Sequence, residues 1–235
     1  LLEKNRDERG VRSWDARFPD GPLRSHGIGL TRLRKLAKQI DRDHALSRAL
    51  WSSDVYDAKV VALLIDEPKR ITRKQAEEQV EQLQGGMLQG GMLVHVFSSC
   101  DASLAKVPFV VELAEDWMVS EDRVRQHCGY GLLYELSKSK KKSAPDEDWF
   151  SKWLVHMDAR RKGADVKTLL AMAGALLGVG KRSARLNAEA LVLARAIGPV
   201  DFDPTGSCDP FDVVKHLDNE RLRKKLGISR RGHKV

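Results

Sequence analysis

The stretch Leu30-Thr31-Arg32-Leu33-Arg34-Lys35-Leu36-Ala37-Lys38-Gln39-Ile40 decides the fold class. Leu30, Leu33, Leu36, Ala37 and Ile40 recur at steps of three and four, the spacing that puts one apolar stripe along a helix. Arg32, Arg34, Lys35 and Lys38 take much of the remaining surface, so the helix is amphipathic with a cationic outer side.

The same period continues along the chain. Helices are expected over 43–51 and 55–65, the latter closed by Asp66-Glu67-Pro68. Thr72-Arg73-Lys74-Gln75 has the form of a capping box and opens a helix to about Leu83. Further helices are expected over 107–117, from Ser120 to Lys138, over 146–160, 166–179 and 183–197, and in two short pieces after Phe211 and near Asn219. Gly198-Pro199 stops the helix over 183–197. No stretch alternates apolar and polar residues as a hairpin does. About ten helices joined by short loops predict an all-α protein of paired helices stacked side by side. The first 27 residues, rich in Arg, Asp and Gly, are expected as a weakly structured arm, 28–228 as one helical domain, and 229–235 as a basic tail. Gln84-Gly85-Gly86-Met87-Leu88 is repeated as Gln89-Gly90-Gly91-Met92-Leu93, and four glycines in seven residues argue against a helix interior there.

Composition narrows the function. The 235 residues carry a net charge of +8, which favours polyanionic partners: DNA, RNA or an anionic membrane surface. A merely soluble basic surface accounts for it equally well. Cys100, Cys128 and Cys208 are far apart and odd in number, no disulfide framework, which points to a reducing compartment. The opening residues are charged from Glu3 onward and lack a signal peptide's apolar run. No window has the length of a membrane span. A cytoplasmic, DNA-associated protein is therefore expected.

Catalytic motifs are few. Gly178-Val179-Gly180-Lys181-Arg182-Ser183 is not a phosphate loop, because Ala175 stands where its first glycine belongs and Arg182 where its Ser or Thr belongs. It reads as a helix end, a turn and a new cap at Ser183. Lys181 and Arg182 then serve equally well as a seat for a backbone phosphate or as a plain turn. The run Lys138 to Lys142, with Lys140 and Lys141 at its centre, is a solvated loop or part of a basic track that also takes in Arg160, Arg161, Lys162, Lys167 and Arg185. No Cys or His spacing fits a metal site. On chemistry alone, Asp101 after Ser98-Ser99-Cys100 is a helix N-cap and Trp117 a core residue.

At these residues the chain resembles the DNA alkylation repair family, the AlkD-like DNA glycosylases. The resemblance rests on Leu33-Arg34-Lys35-Leu36-Ala37-Lys38, Leu50-Trp51 before Tyr56-Asp57-Ala58-Lys59, and Ser99-Cys100-Asp101 with Lys106. It continues through Trp117 before Ser120, Val124-Arg125 and Gly178-Val179-Gly180-Lys181-Arg182, and runs from about Gly27 to Gly227. It implies a right-handed superhelix of HEAT-like repeats, antiparallel helix pairs with a concave basic face for double-stranded DNA. It also implies excision of cationic N3- or N7-alkylpurines by a monomer that needs no metal or cofactor. Loss of such a base leaves oxocarbenium character on the sugar, which a nearby carboxylate stabilises.

By the resemblance that carboxylate is Asp101, and Phe97 stands where the family has a Trp facing sugar or base. Arg125 is the backbone clamp, with Arg123 its alternative in a shifted register. Lys106, Lys140, Lys141, Lys181 and Arg182 are further DNA contacts. A second Trp of the family falls on Gly174, or on Met172 in another register, with Trp149 and Trp153 as substitutes. The alternatives are a non-catalytic binder of damaged or branched DNA and a helical-repeat scaffold for protein partners.

Overall fold

A computed structural model describes residues 1–84, 96–97, 103–141, 143–202 and 209–228. Asp101, Cys100, Cys208, the glycine-rich duplication after Gln84 and the tail after Ile228 lie outside the described residues. The helices are α1 (Glu8–Arg17), α2 (Leu30–Ile40), α3 (His44–Trp51), α4 (Tyr56–Ile65), α5 (Arg73–Gln84), α6 (Val110–Val119), α7 (Arg123–Lys138), α8 (Glu147–Arg160), α9 (Val166–Val179), α10 (Ala184–Ile197), α11 (Val213–Leu217) and α12 (Glu220–Lys225). Extended pairing among the described residues is limited to isolated bridges, Arg24 with Val55 and Val200 with Phe211. The protein is all-α.

Short acidic side chains set half of the helix starts. Asp7, Asp43, Asp122, Asp146, Asp165 and Asp212 each accept from a backbone N–H in the first turn of α1, α3, α7, α8, α9 and α11. Ser183 and Asn219 do the same for α10 and α12. Each cap is worth about 1 kcal/mol. Two expectations shift in detail. Asp122, not Ser120, caps α7, and Ser120 Oγ instead accepts from the Asp122 N–H at 3.1 Å. The Gln75 N–H donates to Thr72 Oγ1 at 3.1 Å, but the Gln75 side chain goes to Asp66 at 2.8 Å rather than closing the capping box.

The chain divides into two compact units, Leu1–Leu113 and Ala114–Val235. In the first, α4 is buried on nearly all sides, with α2 and α3 packed along it. Buried Asp57 on α4 accepts from Ser25 Oγ (2.7 Å) and from the backbone N–H groups of His26 (2.7 Å) and Ile28 (3.0 Å). This clasp corrects the expected arm. The residues before Gly27 are folded, and 8–17 form α1. An added Cβ on Gly10 would lie 2.1 Å from the Gly27 carbonyl oxygen, so the two backbones touch. Gly27 also has φ +72°, which glycine adopts without strain. The Trp14 indole N–H donates to the Leu23 carbonyl at 3.0 Å, and its ring sits 4.6 Å from that of Tyr56.

In the second unit α8 and α10 run side by side, joined by Arg185 with Asp148 at 2.7 Å. The second half of α6 lies along α8, where the Trp149 indole N–H donates to Glu115 at 2.8 Å. Helices α7 and α9 form the neighbouring layer. Equivalent positions are offset by 42 residues from Arg123 to Asp165 and by 37 from Asp148 to Arg185. That offset is the period of a two-helix repeat of roughly 40 residues.

Candidate nucleic-acid interface

The starts and ends of α7 and α9 are held in register by different chemistry. At the starts, Arg123 pairs with Asp165 at 2.7 Å, and Asp165 also caps α9 through the Thr168 N–H at 2.8 Å. Burial raises the Asp165 carboxyl pKa, but the Thr168 bonds and the Arg123 charge outweigh it and hold the group below its ordinary value. At the ends, Gly178 on α9 receives α7 closely. A Cβ there would stand 2.3 Å from Ser137 Oγ and 2.7 Å from the Tyr134 ring.

The turn after α9 is locked by Arg182. Its guanidinium donates to the carbonyls of Ser137 (2.9 Å), Ser139 (2.9 Å) and Pro145 (3.3 Å), and lies over Phe150. Arg182 is therefore engaged in capping α7 and the loop behind it. The same bracket brings the chain after α7 beside the chain after α9. Lys140, Lys141 and Lys181 emerge there exposed, and no ion pair holds them among the described residues.

Other candidates separate. Arg125 sits half-buried in the first turn of α7. Lys106 is exposed at the end of a 3-10 turn, Ser103–Lys106, in the first unit. Phe97 is fully buried, its ring stacked 6.4 Å from Trp51, so as it stands it does not face an open surface. Met172 is 1 % exposed and is core. Gly174 is the opposite: a Cβ there would meet nothing within 4 Å. Trp149 and Trp153 belong to α8, and Trp153 is buried. Arg161 is bound to Asp158, and Arg185 to Asp148 and Glu189, so these two are engaged within the α8–α10 layer instead of standing free on a track.

Sequence reasoning did not single out Lys225, one of three cations in the last turn of α12. Burial around the Lys181 ammonium, then the Lys225 charge, hold its pKa below the ordinary lysine value. The signal available was a run of cations in the last turn of a short capped helix. Among the described residues no group of three metal-ligating side chains converges, and no helix is long and apolar enough to cross a membrane.

Comparison with known proteins agrees with this architecture. A solved structure described as "A new family of proteins related to the HEAT-like repeat DNA glycosylases with affinity for branched DNA structures" superposes with a TM-score of 0.75. It is 20 % identical in sequence, with 98 % of this chain and 95 % of that one covered. The fold is thus of the HEAT-like repeat class. No curated protein sequence matches. The family model described as DNA alkylation repair enzyme matches residues 2–191, which takes in α1 and most of the helices just described. The chain belongs to the DNA alkylation repair family.

Proposed function

We propose that this protein binds duplex DNA along the α7–α9 layer and recognises distorted or branched duplex. In this reading Arg123, Lys140, Lys141 and Lys181 contact backbone phosphate, and Arg125 grips the chain near the lesion or branch. The contacts are electrostatic and carry no base sequence. The observation that carries the proposal is the missing aromatic wall. Gly174 leaves its position open and Phe97 is packed on Trp51, so a cationic base finds neither ring. The affinity of the structural neighbour for branched DNA supports the same reading.

A second reading, excision of N3- or N7-alkylpurines without metal or cofactor, is favoured by the family match and by Asp101 in the sequence. There Asp101 stabilises the cationic sugar and orients water.

One experiment separates the two. Methylated duplex is incubated with the wild type, Asp101→Asn and Gly174→Trp, free bases are measured by chromatography, and affinity for a four-way junction is compared with linear duplex. The proposal expects preferential junction binding and no base release by the wild type. Release of 7-methylguanine that vanishes in Asp101→Asn establishes the glycosylase instead. Release that first appears in Gly174→Trp shows that the open position is what withholds it. The added cation–π attraction is about 0.5–2 kcal/mol.

A further inference from the structure

We infer that the cavity between α1 and the start of α2 binds one nucleotide, its phosphate at the α2 N-terminus beside Arg17 and its base against Trp14 and Phe18. The DNA-binding reading supplies the source, an unpaired nucleotide at a branch or lesion, and the inference rests on that reading for the source alone.

The cavity lies within the first unit and measures about 220 Å³. Pockets that enclose drug-sized ligands run to roughly 300–1,000 Å³, so this one suits a single ring system. Its aromatic wall is fixed. The Trp14 indole N–H is held by the Leu23 carbonyl at 3.0 Å, and the Trp14 ring packs 4.6 Å from Tyr56 and 4.7 Å from Phe18. The backbone contact of Gly10 with Gly27 seats α1. Trp14 and Phe18 are nevertheless only half-buried, so part of each ring stays open. Such faces hold a base by stacking, whatever its identity.

The polar groups of the cavity favour an anion. Helix α2 begins at Gly29 with no side-chain cap, so its first N–H groups are unclaimed, and Gly29 and Leu30 both line the cavity. Arg17, in the last turn of α1, lines it too, exposed and engaged by no acid among the described residues. No carboxylate is part of the described lining. Asp57 is spent on Ser25 Oγ and the N–H groups of His26 and Ile28. Tyr56 points to a ligand independently. It is 8 % exposed and lines the cavity, yet no hydrogen bond among the described residues engages its hydroxyl. Burial, then the Asp57 charge, raise its pKa, so it stays a neutral donor. Buried hydroxyls are normally paired, and the edge of a base carries the acceptor this one lacks.

The test titrates deoxyadenosine monophosphate into the full chain, read by the NMR shift of the Trp14 indole N–H, with n-butyl phosphate as the control without a base. The proposal expects saturable nucleotide binding, weaker binding of butyl phosphate, and an about tenfold loss of nucleotide affinity in Arg17→Gln and in Phe18→Ala. Gly29→Asp separates binding from folding. A Cβ at Gly29 meets nothing within 4 Å, and an aspartate there caps α2 from within. Its melting temperature is expected to hold or rise while nucleotide binding is lost. Wild-type affinity in Gly29→Asp, equal binding of butyl phosphate, or an indole resonance that never moves overturns the proposal. Duplexes with and without one unpaired adenosine then read the source. A preference for the bulged duplex that Gly29→Asp removes assigns the cavity to DNA, and nucleotide binding without that preference assigns it to free nucleotide. If the wild type binds no duplex at low salt, the DNA-binding reading fails, and the mononucleotide titration still decides the cavity.

Discussion

The guanidinium carbon of Arg182 lies 4.6 Å from the centre of the Phe150 ring, so a residue that reads as a surface cation is a structural bracket. Three carbonyls and one aromatic face depend on it. Arg182→Ala is expected to cost about 2–4 kcal/mol, because the acceptors at the end of α7 lose their donor. Arg182→Lys recovers little, since one ammonium cannot reproduce the planar fork. Urea unfolding checks both. A wild-type midpoint combined with lost DNA affinity would instead make Arg182 a phosphate ligand.

Gly174 and Gly178 lie one helical turn apart and predict opposite outcomes. An alanine methyl at Gly174 enters open space, so Gly174→Ala stabilises the protein by about 0.5–1 kcal/mol through helix propensity. At Gly178 the methyl meets Ser137 Oγ and Tyr134, and the close approach of α7 to α9 must loosen. Thermal melting reads the sign: up for the first, down for the second. Equal shifts would show that α7 does not pack on Gly178.

The contrast between those glycines shows where sequence is legible. The stripe of Leu33, Leu36 and Ala37 and the caps at Asp43, Asp146 and Ser183 are local signals, and each appears where its spacing or side chain puts it. Helix α1 was not legible, because only Val11 of its residues is buried and its seat is a backbone contact between Gly10 and Gly27. No periodicity reports a contact between two residues without side chains. Lys181 and Arg182 are likewise neighbours of similar type. Only the third dimension spends one on carbonyls and leaves the other exposed. An expectation of repair chemistry came only through family resemblance, since Asp101 in isolation reads as a cap.

Asp165 links the starts of α7 and α9, and its carboxyl pKa is lowered in the folded protein. A lowered carboxyl pKa contributes stability above its unfolded value, lost as pH falls through the folded one. Asp165→Asn is therefore expected to destabilise at neutral pH by about 1–2 kcal/mol, from a weakened cap and a lost Arg123 partner. The difference from wild type should shrink as the carboxyl protonates in acid. Chemical denaturation at neutral and strongly acidic pH measures it, and a pH-independent difference would exclude the charge of Asp165 as the cause.

His156 predicts pH dependence in a milder range. Its Nε2 faces the Met118 carbonyl at 3.3 Å at the end of α6, and its ring meets Trp153 at 5.1 Å. Burial lowers its pKa, and although the Met118 carbonyl favours the charged ring, the Arg160 and Lys152 charges reinforce the lowering. The unfolded chain then binds the proton first. Stability is complete above the unfolded value near 6.5, falls as pH drops toward the folded value, and levels off below it. His156→Gln can still donate to the Met118 carbonyl but cannot take up the proton. It is expected to remove the part of the decline that begins just below neutrality while leaving the acid loss at Asp165 in place. Urea midpoints for both proteins across mildly acidic pH test this, and parallel curves would assign the decline to another group.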